Sequence, residues 1–338
     1  MRVAIVCDGA DTTRGGIEFH ASKLSVALQR LGVTTRIVSR NDLADLRLRE
    51  FDVLFIEGVV RGTLLRLRLR PGWDAIRKVL FTHGSFFAEM HLPQIMALLP
   101  ARLLVPCLPR FASDYTLVRS ILRDLDAIVV LSPSEVREVR CISGNRPSAV
   151  LPLPLLGASQ AQVIDPGERG GRWSAYSPYV CAVARVDPRK NFLSVVRAIR
   201  GTQYSFLLAG QDSGGLDSIL AYAKRNSVRN FAYLGPVDET TRVDLIAGSI
   251  ATVLPSFFEG LPHFALDSLA LGVPCIMTSH SYTPSLPGLV FCNPDEATIR
   301  EAIDRVGRAR PDVQTPTPVD DLEVARTVLR IVAQHGAE

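Results

Sequence analysis

Two carboxylates flank a loop–helix junction in the segment FFEGLPHFALDS, residues 257–268. Glu259 lies in the Gly-containing loop, and Asp267 follows eight positions later in an apolar stretch that stops at Gly272. Acids beside an apolar core are costly unless something pairs with them, so these two could grip separate hydroxyl-bearing groups of one ligand. The simpler alternative is a solvated Asp267 and a Glu259 that stabilises its own loop.

The same junction offers backbone donors. Pro262 suits the first position of a helix, so the next N–H groups would be unsatisfied and directed at the loop. Those groups belong to His263, Phe264 and Ala265.

A basic loop, ARVDPRKN, follows a strand-like run and supplies Arg185, Arg189 and Lys190. The planar fork of arginine and the compact charge of lysine together suit a diphosphate. The alternative is a solvated turn capped by Asp187 and Pro188. Arg185, directly after the apolar strand, is the residue that this alternative explains least.

Two other patterns are less specific. Gly15 and Gly16 precede the first predicted helix, where backbone N–H groups could face an anion or a sugar. They are not part of a GxGxxG motif, and a glycine pair at a helix start is more often structural. Asp124 and Asp126 form a DxD, which some metal-dependent transferases use. This pair precedes the strand AIVVLS, so its carboxylates belong at the wrong edge of the sheet, and we expect no metal site.

The elements that must position these residues form two series. Short apolar runs, RVAIVCD, TTRIVS, FDVLFIEG, KVLFTHG and DAIVVLS, alternate with helical segments, which predicts a doubly wound α/β domain. A second series starts after the Gly- and Pro-containing residues 165–178. The sequence therefore predicts a first Rossmann-like domain over 1–164, a linker over 165–178, a second domain over 179–319, and a closing helix within 320–338.

Composition restricts the class of protein. With 47% hydrophobic and 21% charged residues, the chain can bury a sizeable core. The six cysteines are scattered, which argues against a zinc site or a disulfide framework and for reduced thiols in a cytoplasmic protein. The net charge is +4, with +5 on residues 1–165 and −1 on the rest, which is too modest to predict nucleic-acid binding.

In combination, these motifs resemble the GT-B fold glycosyltransferases, specifically the retaining family 4 (glycosyl transferases group 1). The first-domain motifs are RGGIEFH, FTHGS and DAIVVLS. The second-domain motifs are VARVDPRKN, FLLAG, FAYLGPVDETTRVDLIAGS and LPSFFEGLPHFALDSLALGVPCI. The resemblance covers most of the chain and implies two Rossmann-like domains that face each other across a cleft.

The resemblance also implies roles for side chains. Arg185 and Lys190 would bind the donor diphosphate and stabilise its departure. Glu259 would contact hydroxyl groups of the donor sugar, and Asp267 would hold the nucleotide ribose. His83 would lie near the sugar and the acceptor, although a histidine at a strand end can simply cap a loop.

Further residues are assigned to the nucleotide-sugar site by the same resemblance, mostly through their backbone. They are Gly15, Gly16, Gly210, Val237, Gly260, Leu261, His263, Phe264 and Ala265. Two departures from the family pattern stand out: Asp267 replaces the usual Glu and is one methylene shorter, and Pro262 occupies a position often held by Gly.

The implied reaction is transfer of a hexose-type sugar from a nucleotide-diphosphate sugar to a glycan, lipid-linked or small-molecule hydroxyl, with retention and without a cofactor or metal ion. The alternatives are a sugar-nucleotide epimerase of the same fold and a non-catalytic sugar-nucleotide-binding protein. First-domain segments that mix Arg with Leu could also touch the inner face of a membrane. Ordinary amphipathic packing explains them more simply, and the Leu/Arg alternation at 65–70 predicts a strand face.

Overall fold

The computed structural model describes residues 1–7, 16–58, 61–82, 120–130, 136, 139–140, 149–151, 171–257, 263–278, 286–314 and 320–334. The chain divides into two compact units. The first comprises Met1–Pro154 and Val319–Glu338, and the second comprises Leu155–Pro318. Each unit contains a six-stranded parallel sheet.

The first sheet has the strand order β2-β1-β3-β4-β5-β6. Its strands are β1 Arg2–Cys7, β2 Thr34–Ser39, β3 Val53–Glu57, β4 Arg77–Thr82, β5 Ala127–Val130 and β6 Ala149–Val150. Two helices connect its first strands: α1 Gly16–Arg30 and α2 Arg61–Arg68.

The second sheet has the strand order β12-β11-β10-β7-β8-β9. Its strands are β7 Tyr179–Val183, β8 Ser205–Ala209, β9 Phe231–Gly235, β10 Ala251–Leu254, β11 Cys275–Thr278 and β12 Leu289–Cys292. The helices of the second unit are α3 Phe192–Ile199, α4 Leu216–Arg225, α5 Glu239–Ala247, α6 His263–Ala270 and α7 Glu296–Arg308. The last helix, α8 Asp321–Gln334, belongs to the first unit.

The central strands, such as β1, β3 and β5, are mostly apolar and buried because both faces of each sheet are covered. In β1, Val3 and Ile5 belong to a core cluster that also contains residues of α1 and α8. Ala4 and Val6 belong to the cluster on the other face, with Leu64 of α2. The second sheet likewise has one apolar cluster on each face. The predicted pair of doubly wound α/β domains is therefore confirmed.

The predicted strand at residues 65–70 is wrong. This segment continues α2 to Arg68 and then turns. Helical spacing places Leu64 and Leu67 on one buried face, while Arg68 pairs with Asp124 (Nη2–Oδ2 3.1 Å). Burial of the two leucines at i and i+3 decided the local structure against the Leu/Arg alternation.

The acidic pair of the DxD has partners within the first unit. Asp124 forms the ion pair with Arg68, and Asp126 accepts a hydrogen bond from the Lys78 backbone N–H at 2.7 Å. The Lys78 ammonium lies 3.8 Å from the same Asp126 carboxylate. Asp126 thus joins the amino-terminal ends of β4 and β5, and Asp124 joins the chain before β5 to the end of α2.

The four cysteines within the described ranges are buried free thiols: Cys7, Cys181, Cys275 and Cys292. Burial raises the pKa of Cys181 to about 12 and that of Cys292 to about 11. These two thiols therefore stay protonated and poorly nucleophilic near neutral pH. None of the described helices combines the length and apolar character that a bilayer span requires.

Candidate functional site

The direction of the second sheet's topology reverses between β7 and β10. From β7 the chain proceeds outward to β8 and β9, and from β10 it proceeds the other way to β11 and β12. Ligands of open α/β sheets bind beyond the carboxyl ends of the strands at such a reversal. The basic loop follows β7, and the segment with the two predicted carboxylates follows β10. Both segments therefore leave the sheet where its topology predicts a site.

The three basic residues of the loop after β7 have different surroundings. Asp187 caps the short turn Pro188–Lys190 by accepting a hydrogen bond from the Arg189 N–H at 2.8 Å, and its carboxylate pairs with the Arg189 guanidinium at 3.3 Å. Arg185 is exposed and forms no ion pair or side-chain hydrogen bond with the residues that the structure describes. Lys190 is half-buried. Arg189 thus maintains the turn, and Arg185 remains for a ligand.

Asn191 fixes this loop beside the end of β10. Its backbone is left-handed (φ 56°), which asparagine tolerates better than most residues. Its side-chain amide donates to the carbonyl oxygens of Pro255 at 3.1 Å and Pro294 at 2.8 Å. The Phe257 N–H donates to the Arg189 carbonyl at 2.9 Å. Asn191 was not predicted from the sequence, although an asparagine that ends a turn before a helix was the available signal.

Gly210 allows the ends of β7 and β8 to approach closely. A Cβ atom at this position would lie 1.9 Å from the Ala184 carbonyl oxygen, and φ is +136°, which L side chains rarely adopt. Its N–H donates to the Gly235 carbonyl at 2.8 Å, and its carbonyl accepts from the Tyr233 hydroxyl at 2.7 Å. The described contacts of Gly210 are therefore structural, and they support the residue that precedes Arg185. Its contact with a nucleotide sugar stays a prediction.

Helix α6 carries the second predicted carboxylate into the protein interior. All residues from His263 to Leu269 are buried, and Asp267 is only 1% exposed. The Asp267 Oδ2 lies 2.9 Å from Nη1 of Arg242 on α5. A solvated Asp267, the simpler alternative from the sequence, is therefore excluded.

Arg242 also holds a second carboxylate. Its Nε and Nη2 donate to the two carboxylate oxygens of Glu239, at 2.8 and 2.5 Å. Burial acts to lower the pKa of Arg242, but the hydrogen bonds and negative charges of Glu239 and Asp267 outweigh it and hold the pKa above its ordinary value. The sequence analysis missed both Arg242 and Glu239. Their spacing of three on a helix predicts their own pair, but nothing in the sequence links Arg242 to Asp267.

Some predicted site residues lie outside the described residues: Gly15, His83, Glu259, Gly260 and Leu261. Gly16 begins α1, which follows β1 at the reversal point of the first sheet. Val237 lies between β9 and α5, and its side chain packs against an apolar cluster. The structure thus places Arg185, Lys190 and the α6 residues around one reversal point, and Val237 near the end of β9.

The first unit has a buried polar pair at the same edge of its sheet. His20 of α1 and Glu57, the last residue of β3, are 3.0 Å apart between Nδ1 and Oε2, and both are almost fully buried. Phe81 of β4 packs against the imidazole with a centroid separation of 5.6 Å. The pair joins α1 to the end of β3 near the point where the first sheet reverses. The sequence analysis did not identify it.

Residues 171–306 match the family model of the glycosyl transferases group 1. The second unit matches a glycosyltransferase family. The matched segment contains every described candidate residue from Arg185 to Asp267. The match supports the predicted resemblance to the glycosyl transferases group 1, and with it the prediction of glycosyl transfer. No curated protein sequence matches the chain.

Solved structures with low sequence identity share the fold over nearly the whole chain. HepE from Anabaena in complex with UDP has a TM-score of 0.69 at 10% identity, covering 98% of this chain and 99% of its own. Sucrose-phosphate synthase from Thermosynechococcus elongatus has a TM-score of 0.65 at 16% identity, covering 99% and 97%. WaaG, a glycosyltransferase involved in lipopolysaccharide biosynthesis, has a TM-score of 0.65 at 13% identity, covering 97% and 95%. The chain therefore has the GT-B fold.

Proposed function

We propose that the protein is a retaining glycosyltransferase that moves a hexose-type sugar from a nucleotide-diphosphate sugar to a hydroxyl group of a glycan, lipid-linked or small-molecule acceptor. One observation carries the proposal. The loop with Arg185 and Lys190 is joined to the end of β10 through Asn191 and Phe257, at the reversal point of a sheet that matches a glycosyltransferase family. This arrangement places the basic loop beside Phe257, just after the end of β10.

In the proposed reaction, the bond between the anomeric carbon and the diphosphate oxygen breaks as the acceptor oxygen bonds to the same face of that carbon. Negative charge develops on the leaving diphosphate, and Arg185 and Lys190 stabilise it, since donors that are already oriented act most strongly on charge that appears during the reaction. The acceptor proton passes to the leaving phosphate. No side-chain base is required.

The remaining predicted residues hold the donor and acceptor. Glu259 contacts hydroxyl groups of the transferred sugar, and Asp267 contributes to the ribose site. As the resemblance implies, the backbone from Gly260 to Ala265 would face sugar and phosphate, and His83 would contribute near the sugar and the acceptor. A peripheral membrane contact for a lipid-linked acceptor also stays a proposal, because residues 91–111 lie outside the described part of the chain.

Nucleotide release from a donor panel tests this function. The panel contains UDP-, ADP- and GDP-sugars with and without acceptors. UDP-glucose comes first because HepE was solved in complex with it. We expect one donor to be turned over, with the anomeric configuration retained in the product. A donor that binds without turnover would identify a binding protein, and conversion to an epimer of the donor would identify an epimerase; either result would refute the proposal.

We expect catalysis without a divalent cation. The resemblance implies a reaction without a metal ion, and Asp124 and Asp126, the acidic pair of the DxD, have basic partners. EDTA should therefore leave the initial rate of sugar transfer unchanged. Asp124→Ala should leave kcat/KM unchanged and cost little stability, because its ion pair with Arg68 is partly exposed. Loss of transfer in either experiment would refute the metal-independent mechanism.

A further inference from the structure

Two carboxylates in the second unit are linked through one guanidinium group. Arg242 of α5 donates to Asp267 of α6 through Nη1 and to Glu239 through Nε and Nη2. The pair of bonds to Glu239 is bidentate, the geometry in which arginine holds a carboxylate most firmly. The three side chains therefore form a continuous hydrogen-bonded network in which the guanidinium lies between the two carboxylates.

The exposure of the side chains to solvent increases along this network, from Asp267 to Glu239. The side chain of Asp267 is 1% exposed, that of Arg242 is 12% exposed, and that of Glu239 is 42% exposed. With one positive and two negative groups, this network of three side chains carries a net negative charge. Glu239 is therefore the member whose side chain is most accessible to solvent, and Asp267 anchors the network in the interior.

Glu239 also lies at the edge of the sheet where ligands of open α/β sheets bind. It is the first residue of α5, which follows the carboxyl end of β9, and it comes two residues after Val237. The neighbouring acid, Asp238, caps the helix by accepting from the Thr241 N–H at 2.7 Å. Asp238 is thus used in helix formation, while Glu239 is fixed by Arg242 with part of its side chain accessible.

We propose that Glu239 is a second ribose-binding carboxylate of the donor site and that Arg242 is the positioning residue that orients it. This inference rests on the proposed function. Each carboxylate oxygen can accept more than one hydrogen bond, so the 2′- and 3′-hydroxyl groups can donate to Glu239 while its pair with Arg242 persists. The exposed Glu239 thereby extends the ribose site outward from the short, buried Asp267.

Binding of nucleotides with and without the ribose diol tests this inference. The probes are UDP, ADP and GDP, each compared with its 2′,3′-dideoxy form by calorimetry on the full chain. We expect the wild-type protein to prefer the diol form of the nucleotide that it binds. Glu239→Gln should reduce that preference by about ten-fold, since a hydrogen bond to a charged group is lost, and should leave the affinity for the dideoxy form unchanged. Arg242→Lys, which keeps the charge but loses the fork, should reduce the preference in the same direction.

Glu296→Gln is the matched control. Glu296 is likewise the first residue of a helix, but α7 follows β12 at the opposite edge of the sheet, so the preference should not change. An unchanged preference in Glu239→Gln, or equal weakening of both nucleotide forms, would overturn the role of Glu239 in ribose binding. Failure of the wild-type protein to bind any of the three diphosphates would instead refute the proposed function, which makes the two failures distinguishable.

Discussion

Arg185→Ala is expected to lower kcat/KM for sugar transfer by about 10²–10³-fold, the range measured when one oriented donor is removed from a developing negative charge. Arg185 is exposed and has no side-chain partner among the described residues, so the unfolding free energy should hardly change. Steady-state kinetics with the donor found in the panel, together with urea unfolding, measures both quantities. The combination separates a catalytic role from a structural one.

Arg189→Ala is the matched control, because it removes the same charge from the same loop. Arg189 is mostly exposed and pairs with Asp187, so its loss should loosen the turn but leave most of the turnover intact. An equal loss of turnover in both variants would show that only the net charge of the loop matters. The assignment of the diphosphate contact to Arg185 would then be wrong.

Arg242→Met is expected to have the largest effect on stability, a loss of about 3 kcal/mol in the unfolding free energy. The substitution keeps much of the side-chain volume but removes the cation beside the buried carboxylate of Asp267. Removing one partner of a buried ion pair leaves a charge in a poorly solvated place, which costs more than the pair itself contributes. Urea unfolding followed by circular dichroism measures the loss.

Arg242→Met combined with Asp267→Leu provides the check on this explanation. If the uncompensated charge is the cause, the double variant should recover most of the lost stability, since it removes the remaining buried charge. Glu239→Gln should cost little stability because Glu239 is 42% exposed. A double variant that is no more stable than Arg242→Met would contradict the explanation.

The sequence predicted the central strands, such as β1, β3 and β10, because each is a short apolar run that is buried on both faces, and this pattern is local. It also predicted which loops approach the site, since the carboxyl ends of parallel strands share one edge. The Leu/Arg alternation at residues 65–70 led to a wrong strand prediction, because so short a segment fits both a strand and a helix periodicity. The burial of Leu64 and Leu67 in the tertiary structure decides for the helix.

The partners of the candidate residues could not be predicted in the same way. Arg242 and Asp267 are 25 positions apart, and their contact depends on how α5 packs beside α6. The double use of Asn191, on Pro255 and Pro294, joins segments separated by 64 and 103 positions. Motifs identify residue types that suit a ligand, whereas such long-range contacts decide which of them remain available to bind it.

Helix α8 has a consequence for the order in which the chain folds during synthesis. Its apolar residues, among them Val324 and Val328, complete the cluster that contains Val3 and Ile5 of β1. The first unit therefore cannot close its core until α8 has left the ribosome, after the whole of the second unit, which is one uninterrupted segment. We infer that the sheet of the first unit, although it is made before the second unit, is covered after it, and that its uncovered apolar face needs chaperone protection during translation.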